Sequence, residues 1–475
     1  MNKVLFVLFL PFYFFGQTQI GNTIYGSGAA YSAAGNCVSL SDDGTIVAIG
    51  EKGYSAPYNI GCVRVFRNVN NTWTHVGSTI VGNDQFDYFG TCVSLSSNGN
   101  ILAISAPPST YTEIGYVKIF QNVNDVWTQI GSTIYGEDDD TRFGSSLDIS
   151  SDGSIIAIGN NFYDQTSTNT GKVKVFQNVN GVWNQMGNTI YSSIQNTSAS
   201  SLSLAANGTK LAIGEYDFLY YSNKKVRLFE NINGNWIQIG NNIPFGGASV
   251  SLSEDGNFLA IGDYNYSQGF GKARVYTTTN GIFTQVGTDF NSEHVWDQLG
   301  CSVKLSYEGT TLAIGSSWFG QNSSRYGKVS VYKNINENWT LESNIIGSNY
   351  DNQCGESVSL SSDGSFLATG CPGSRGFYNQ PSSGEVKVFN TVINLNLESF
   401  KLEHFTITPI PTSDQITIHL QENIKFKKAT IYNTLGQIIK IETSKVIDVS
   451  DLSIGTYFIE VITDKGKATK SFIKE

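Results

Sequence analysis

Two small groups of carboxylates are the residues here whose type and spacing could do chemistry. Asp84 and Asp87 stand three positions apart, and Glu293 and Asp297 four apart, each pair in a segment connecting two runs of apolar residues. Between them in sequence lies Glu137-Asp138-Asp139-Asp140, with Arg142 close behind and Arg325 further on. Paired carboxylates can act as general acid and base on a glycosidic bond, with arginine as a clamp for a substrate carboxylate. The acidic run could also chelate calcium, although a solvated charge cluster accounts for it more simply. Other catalytic chemistry is thinly supplied. The chain has four histidines, His75, His294, His404 and His419, with no metal-ligand spacing. It has no Gly-x-Ser-x-Gly elbow and no phosphate-binding glycine loop. A nucleophile activated by histidine is therefore confined to the neighbourhood of His294.

Aromatic residues recur in the same kind of segment. Tyr54, Tyr58, Tyr111, Tyr163, Tyr216, Tyr220, Tyr264, Tyr266, Trp318, Tyr326 and Tyr378 all lie in long, varied loops. With Asp84, Asp87, Asp140 and Asp297 they make a candidate ligand-binding face. Tyrosine and tryptophan offer a flat apolar surface and a polar edge at low entropic cost, which suits sugars and extended peptides. Any single one of these rings could equally serve as the small core of its own loop.

The elements that must position these loops are repeats. Seven copies of one phrase run through the chain: SLSDDGTIVAIG, SLSSNGNILAIS, DISSDGSIIAIG, SLAANGTKLAIG, SLSEDGNFLAIG, KLSYEGTTLAIG and SLSSDGSFLATG. Their turn glycines, from Gly44 to Gly364, recur every 48 to 55 residues. Each phrase reads as two strands joined by a tight turn. A loop, a third alternating strand such as GKVKVFQNVN and a fourth such as VWTQIGSTI follow. Period-two apolar residues punctuated by Asp-Gly and Asn-Gly are the mark of antiparallel hairpins. Each unit is therefore a four-stranded meander, the unit of a propeller. The short turns share one end of the ring, and the long loops share the other.

Ring closure is written into the two ends of the repeat region. Trp73, Trp127, Trp183, Trp236, Phe283 and Trp339 mark a fourth strand in six units, where the fixed position points to packing between units. The seventh unit lacks that strand, and TQIGNTI at residues 18–24 nearly duplicates TQIGSTI at residues 128–134. The fold class is thus all-β, a seven-bladed β-propeller closed by its N-terminal strand, over residues 17–398.

The repeats resemble FG-GAP repeats, the blades of the integrin alpha-chain propeller. The residues that carry the likeness are Phe89-Gly90 with Ser105-Ala106-Pro107, Phe143-Gly144, and Cys354-Gly355 with Gly370-Cys371-Pro372. Many members of that family hold calcium in an Asp-x-Asp-x-Asp-Gly loop between the first two strands. Here that loop has shrunk to hairpins such as Ser-Ser-Asp-Gly, with one carboxylate or an asparagine (Asn98, Asn207) as a turn former. No calcium and no other cofactor or metal is expected there.

Residues 1–16 read as a signal peptide: Lys3, then an apolar run from Val4 to Phe15 too short to span a bilayer. No other stretch could cross, so no transmembrane segment is expected in the mature chain. From Lys401 onward the charge balance turns to +1, against −11 for the remainder. This segment, assigned to residues 399–475, resembles the C-terminal sorting domain of type IX secretion substrates, a small β-sandwich. The likeness rests on Pro409, Pro411, Gly436, Gly455, Tyr457, Lys470 and Lys474. It implies signal-peptide-dependent passage through the periplasm, the type IX machinery as a partner, and a secreted or outer-membrane-surface location. Cys354 and Cys371 fall at the same end of one hairpin and could pair. Cys37 and Cys92 occupy equivalent places in neighbouring units and, with Cys62 and Cys301, read as buried free thiols. An isoelectric point near 5.0 argues against nucleic acid. The uniform repeats favour a non-enzymatic binding protein for a glycan or surface-protein ligand. The alternatives are a carboxylate-dependent polysaccharide-degrading enzyme and a structural surface protein without a discrete pocket.

Overall fold

The computed structural model describes residues 17–28, 32–55, 58–108, 113–137, 142–161, 171–193, 198–216, 224–267, 269–279, 281–320, 325–373, 383–391, 405–420, 424–433, 437–463 and 466–475. The signal-peptide reading of residues 1–16 lies outside them. The chain divides into two compact units at Val392 and Ile393.

The first unit holds seven four- or five-stranded antiparallel sheets among its described residues. Their first strands are Cys37–Leu40, Val93–Leu95, Phe143–Ile149, Ser198–Leu204, Ser249–Leu252, Leu299–Leu305 and Ser357–Leu360. We number the sheets 1 to 7 in that order. Each second strand is buried along its length, as at Ile46–Glu51 and Ile155–Asn160, save for a half-buried first residue in four of the seven, because neighbouring sheets cover both of its faces. That explains why these strands are continuously apolar and do not alternate.

Six of the seven phrases carry two glycines, and the two have separate causes. Gly44 at the hairpin turn has φ +69°, a conformation costly for any residue with a Cβ. The glycine that closes Ala-Ile-Gly lies under the backbone of the next sheet. A Cβ on Gly50 would sit 2.1 Å from the carbonyl oxygen of Gly90, and one on Gly370 would sit 1.9 Å from that of Gly35. The hairpin carboxylates are consumed locally. Burial works against the charged form of Asp43, but the Ser41 hydroxyl and the Thr45 amide and hydroxyl outweigh it. They hold its carboxyl below the usual range.

Sheet 7 takes its outer strands from the N-terminus. Thr18–Gln19 and Ile24–Tyr25 pair antiparallel with Glu385–Asn390, with Gln19 opposite Phe389 and Ile24 opposite Val386. Ile24 then joins Val38, Leu40, Ile49 and Trp73 of sheet 1 and Ala368, Val386 and Val388 of sheet 7 in one buried cluster. The tryptophans form a ladder outside this core. The indole N–H groups of Trp73, Trp127, Trp183 and Trp236 donate to the carbonyl oxygens of Ile20, Val76, Ile130 and Met186, at 2.9, 3.2, 3.2 and 3.0 Å. Each bond reaches from one sheet to the outer strand of the preceding one.

At the hairpin tips of the first strands, backbone amides link the sheets in a circuit. Asp42 donates to Ser97, Ser97 to Ser151, Ser151 to Ala206, and Ala206 to Glu254. Glu254 donates to Tyr307, Tyr307 to Ser362, and Ser362 back to Asp42, all at 2.8–3.1 Å.

The second unit contains a three-stranded sheet (Phe405–Thr408, Gln415–Leu420, Val446–Asp448) and a four-stranded one (Ile438–Glu442, Phe426–Tyr432, Gly455–Thr463, Gly466–Lys474). Phe405, Ile407, Ile416 and Ile418 from the first and Ala429, Ile431, Ile459, Val461 and Phe472 from the second share one core.

Candidate functional site

The connection from sheet 1 to sheet 2 is built around a buried carboxylate. Asp87 accepts hydrogen bonds from the amides of Asn83 and Asp84, both at 2.9 Å, and from the Tyr116 hydroxyl at 2.6 Å. Those bonds compact the segment into a wall, and Asp84, Gln85 and Phe86 are left exposed on it. Burial, together with the Asp87 carboxylate to which it donates, pushes the Tyr116 phenol far up, so it is a permanent donor. On the far side, Tyr135 packs against Tyr116 with ring centroids 5.8 Å apart and remains 60 % exposed. Between them opens a cleft of about 780 Å³, lined also by Asn83, Pro108, Glu113 and Ile114. Lys118 stands beside the cleft, donating to the Asn83 side chain at 2.8 Å, with its ammonium 5.4 Å from the Tyr116 ring centre.

This arrangement supplies an aromatic platform (Tyr135, Phe86), carboxylate acceptors (Asp84, Glu113) and amides (Asn83, Gln85) around one hollow. Such a set can stack on a sugar face and accept its hydroxyl protons, a usual composition for a small-ligand pocket. A second hollow of about 450 Å³ lies against Phe245, Tyr276 and Phe283. Its arginine, Arg274, is engaged with Asp289 at 2.7 Å and stands over the Phe245 ring.

The candidate residues do not all face outward. Asp87 is 6 % exposed and Asp297 is 1 % exposed. Asp297 accepts from the Ser292 hydroxyl at 2.6 Å and the His294 amide at 3.3 Å, so both aspartates organise their own loops rather than a ligand. Tyr216 is fully buried, stacked on Tyr264 at 5.9 Å, with the Lys224 ammonium over its ring. For the two aspartates the physical reason is that a long connection needs an interior, whereas Tyr216 ends the strand Lys210–Tyr216 and is covered by Tyr264 and Lys224. Tyr54, Tyr264, Trp318 and Tyr326 are half-buried, whereas Tyr58, Tyr266 and Asp84 are exposed. The Arg325 guanidinium lies 3.7 Å from the Trp318 ring centre, and the Lys272 ammonium 4.1 Å from that of Tyr266. Tyr111, Tyr163, Tyr220, Tyr378 and Asp140 lie outside the described residues, as does Gly436 of the tail.

Tyr116, Tyr135 and Glu113 were not singled out from sequence. Tyr135 follows the fourth strand of its repeat, and equivalent tyrosines at Tyr25 and Tyr191 are similarly exposed; that recurrence was the available signal. At the head of the acidic run, the Lys174 and Lys172 ammonium groups bind Glu137 and hold its carboxyl below the usual range. Ser292, His294 and Asp297 contain the elements of a catalytic triad in the wrong order. The serine hydroxyl donates directly to the aspartate, and His294 Nδ1 stands 3.7 Å from it. Cys354 and Cys371 are joined as a disulfide. Beside it, Glu385 is bound by Asn352 and Lys387, each at 2.8 Å.

In the second unit, Lys470 Nζ donates to the Phe405 carbonyl at 2.7 Å, tying the two sheets together. The Tyr457 ring stacks on Phe472 at 5.7 Å, and its hydroxyl donates to the Ser453 carbonyl at 3.0 Å. The backbone of Thr412, next to Pro411, is bonded to the last strand through Ile473 and Glu475 at 2.9 Å. Pro409 and Pro411 both follow cis peptide bonds.

Residues 406–475 match the secretion system C-terminal sorting domain. This tail indicates export through the type IX system, and with it contact with that machinery and a secreted or surface location. No curated protein matches the chain. Among solved structures, hydrazine synthase of Kuenenia stuttgartiensis aligns at 13 % identity with a TM-score of 0.50, covering 79 % of this chain and 99 % of that one. The RRP9 WD40 repeats align at 12 % identity with a TM-score of 0.50 and the same coverage. At such identities the likeness concerns the fold, which is all-β and propeller-like. No helix among the described residues is long and apolar enough to cross a membrane.

Proposed function

We propose that the chain is an exported, non-enzymatic glycan-binding protein whose first unit is a closed seven-bladed propeller of the FG-GAP type. Its second unit would be a sorting β-sandwich. The closure reading is supported by the circuit of backbone bonds from Asp42 through Ser362 and back, and by the N-terminal strand in sheet 7. The observation that carries the binding reading is the cleft between Asp84 and Tyr135, the hollow that combines exposed rings with carboxylates and amides.

A hydrolytic reading has less support in the same cleft. Asp87 is locked by two amides and a phenol, and a general acid or base must be open to its substrate. Asp84 and Glu113 would serve as hydrogen-bond acceptors for sugar hydroxyls. Export places such a protein where polysaccharides and cell-surface glycans are met. The test is a glycan array probed with the mature chain beside its Tyr135→Ala variant. Glycans bound by the native protein and lost by the variant support the reading. Binding that survives the variant removes the cleft from it.

A further inference from the structure

The first strands carry a second device at the boundaries between sheets. At one repeat position the side chain reaches the backbone of the following sheet, and five of the sheets place serine there. Ser146, Ser201, Ser249, Ser302 and Ser357 donate to the carbonyl oxygens of Ala199, Gly247, Gly300, Gly355 and Gly35, at 3.3, 2.9, 2.8, 2.7 and 2.8 Å. Sheets 1 and 2 place cysteine instead, Cys37 and Cys92, and these two sheets are neighbours. The two cysteines therefore stand side by side across that boundary. Cys37 Sγ accepts the amide of Val93, the residue bonded to Cys92, at 3.3 Å, and lies 3.7 Å from the Val93 carbonyl oxygen. Cys92 Sγ also lies 3.2 Å from the Ser145 carbonyl oxygen of sheet 3. Both cysteines are free and partly exposed in this structure.

We propose that Cys37 and Cys92 are an oxidisable pair that forms a disulfide between sheets 1 and 2 once the chain leaves the reducing cytoplasm. Packing alone does not explain them: serine makes the equivalent bond at the other five sheets, so nothing in the repeat asks for sulfur. Their chemistry is also split. The neighbouring Cys92 side chain, and then the Val93 amide, outweigh burial and lower the Cys37 thiol, while Cys92 is raised. Cys37 is thus the attacking sulfur and Cys92 the resolving one. The Cys37 thiolate attacks one sulfur of an oxidising disulfide and displaces a thiolate. Cys92 then loses its proton and attacks Cys37 in the mixed disulfide, displacing the second thiolate. Two thiols are oxidised, one external disulfide is reduced to two thiols, and the protons pass to those leaving groups. Cys62 and Cys301 take no part: burial raises both, Cys301 to about 12, and the Cys301 thiol donates to the Gly355 carbonyl oxygen at 3.2 Å.

The experiment is oxidation of the purified mature full chain with oxidised glutathione, followed by alkylation and non-reducing peptide mapping. The expected result is loss of two of the four free thiols and a cross-linked peptide joining Cys37 to Cys92. A rise of several degrees in Tm should accompany it. Cys92→Ser should trap one glutathione on Cys37. The double variant C37S/C92S, which restores the residue the other sheets use, should fold and show no change in Tm with oxidant. Full alkylation of both cysteines after oxidation would overturn the proposal, and so would separate glutathione adducts on each without a cross-link.

Discussion

The amide of Leu40 donates to the Ser359 hydroxyl oxygen at 3.0 Å across 319 positions of sequence. The same bond recurs between consecutive sheets, where Leu95, Leu252 and Leu305 donate to Ser39, Ser203 and Ser251, each at 3.0 Å. Leu204 uses Asp148 as its acceptor at 2.9 Å. The junction between the last sheet and the first is thus made by the same contact as junctions between sequence neighbours. In the proposed closed ring those junctions are equivalent, and the seam is then the place where a local change acts on the whole unit.

Deleting residues 17–24 should remove two strands from sheet 7 and Ile24 from the seam core, lowering Tm by roughly ten degrees or more. The smaller change Trp73→Phe keeps one aromatic ring but removes the bond to Ile20 and part of the buried indole. It should cost about 1–3 kcal/mol. Thermal melts of the two variants check both; an unmoved transition in the deletion would contradict closure by this strand.

Gly370→Ala should be among the most damaging single substitutions. The added methyl would stand 1.9 Å from the Gly35 carbonyl oxygen, on backbone that cannot step aside without opening the seam. A loss of about 3 kcal/mol or more is expected by urea denaturation. Gly28→Ala is the control, because its Cβ would meet nothing within 4 Å. Its φ of +87° still disfavours a side chain, so a smaller loss of about 1 kcal/mol is expected there. Equal losses at the two positions would contradict the close approach of sheets 7 and 1.

Glu254 makes stability depend on pH. Burial first, then the negative charges of Asp42 and Asp148, raise its carboxyl from the ordinary 4.5 to about 7, with Lys304 and the Ser151 hydroxyl opposing. The folded chain therefore keeps a proton that the unfolded chain has released. Stability should fall as pH rises from about 4.5 to about 7. Glu254→Gln should gain on the order of 1–2 kcal/mol over the native protein at pH 8, discounted for partial exposure, and almost nothing at pH 4. Melts at the two pH values decide it, and an equal effect at both would contradict the assignment.

Removing residues 406–475 should leave the first unit folded, because its core clusters contain no residue of the tail. The truncated chain should accumulate in the periplasm. Fractionation of cells expressing it is the check, and normal surface delivery would contradict the sorting role.

Much of the architecture was legible because it is repeated. Seven phrases marked the hairpins, and the near identity of TQIGNTI and TQIGSTI was enough to seat the N-terminal strand beside Glu385–Asn390. The sorting tail was legible from Pro409, Pro411 and the Gly455-Thr456-Tyr457 sequence. The site was read less well. Nothing in a linear pattern says that Asp87 turns inward to hold the amides of Asn83 and Asp84 while Asp84 itself stays exposed. That choice depends on Tyr116, 29 residues later, whose hydroxyl completes the cage. Cys37 and Cys92 were recognisable as equivalent positions. Their placement side by side needed the lateral packing of one sheet on the next.

The most direct measurement is binding of the mature chain and of Tyr135→Ala to a glycan array, with Asp87→Asn as a check on the fold of the cleft wall. A selective set of glycans should be bound by the native protein and lost, by about tenfold or more, when the exposed ring is removed while Tm is unchanged. An empty array, or a set bound equally by Tyr135→Ala, would contradict it.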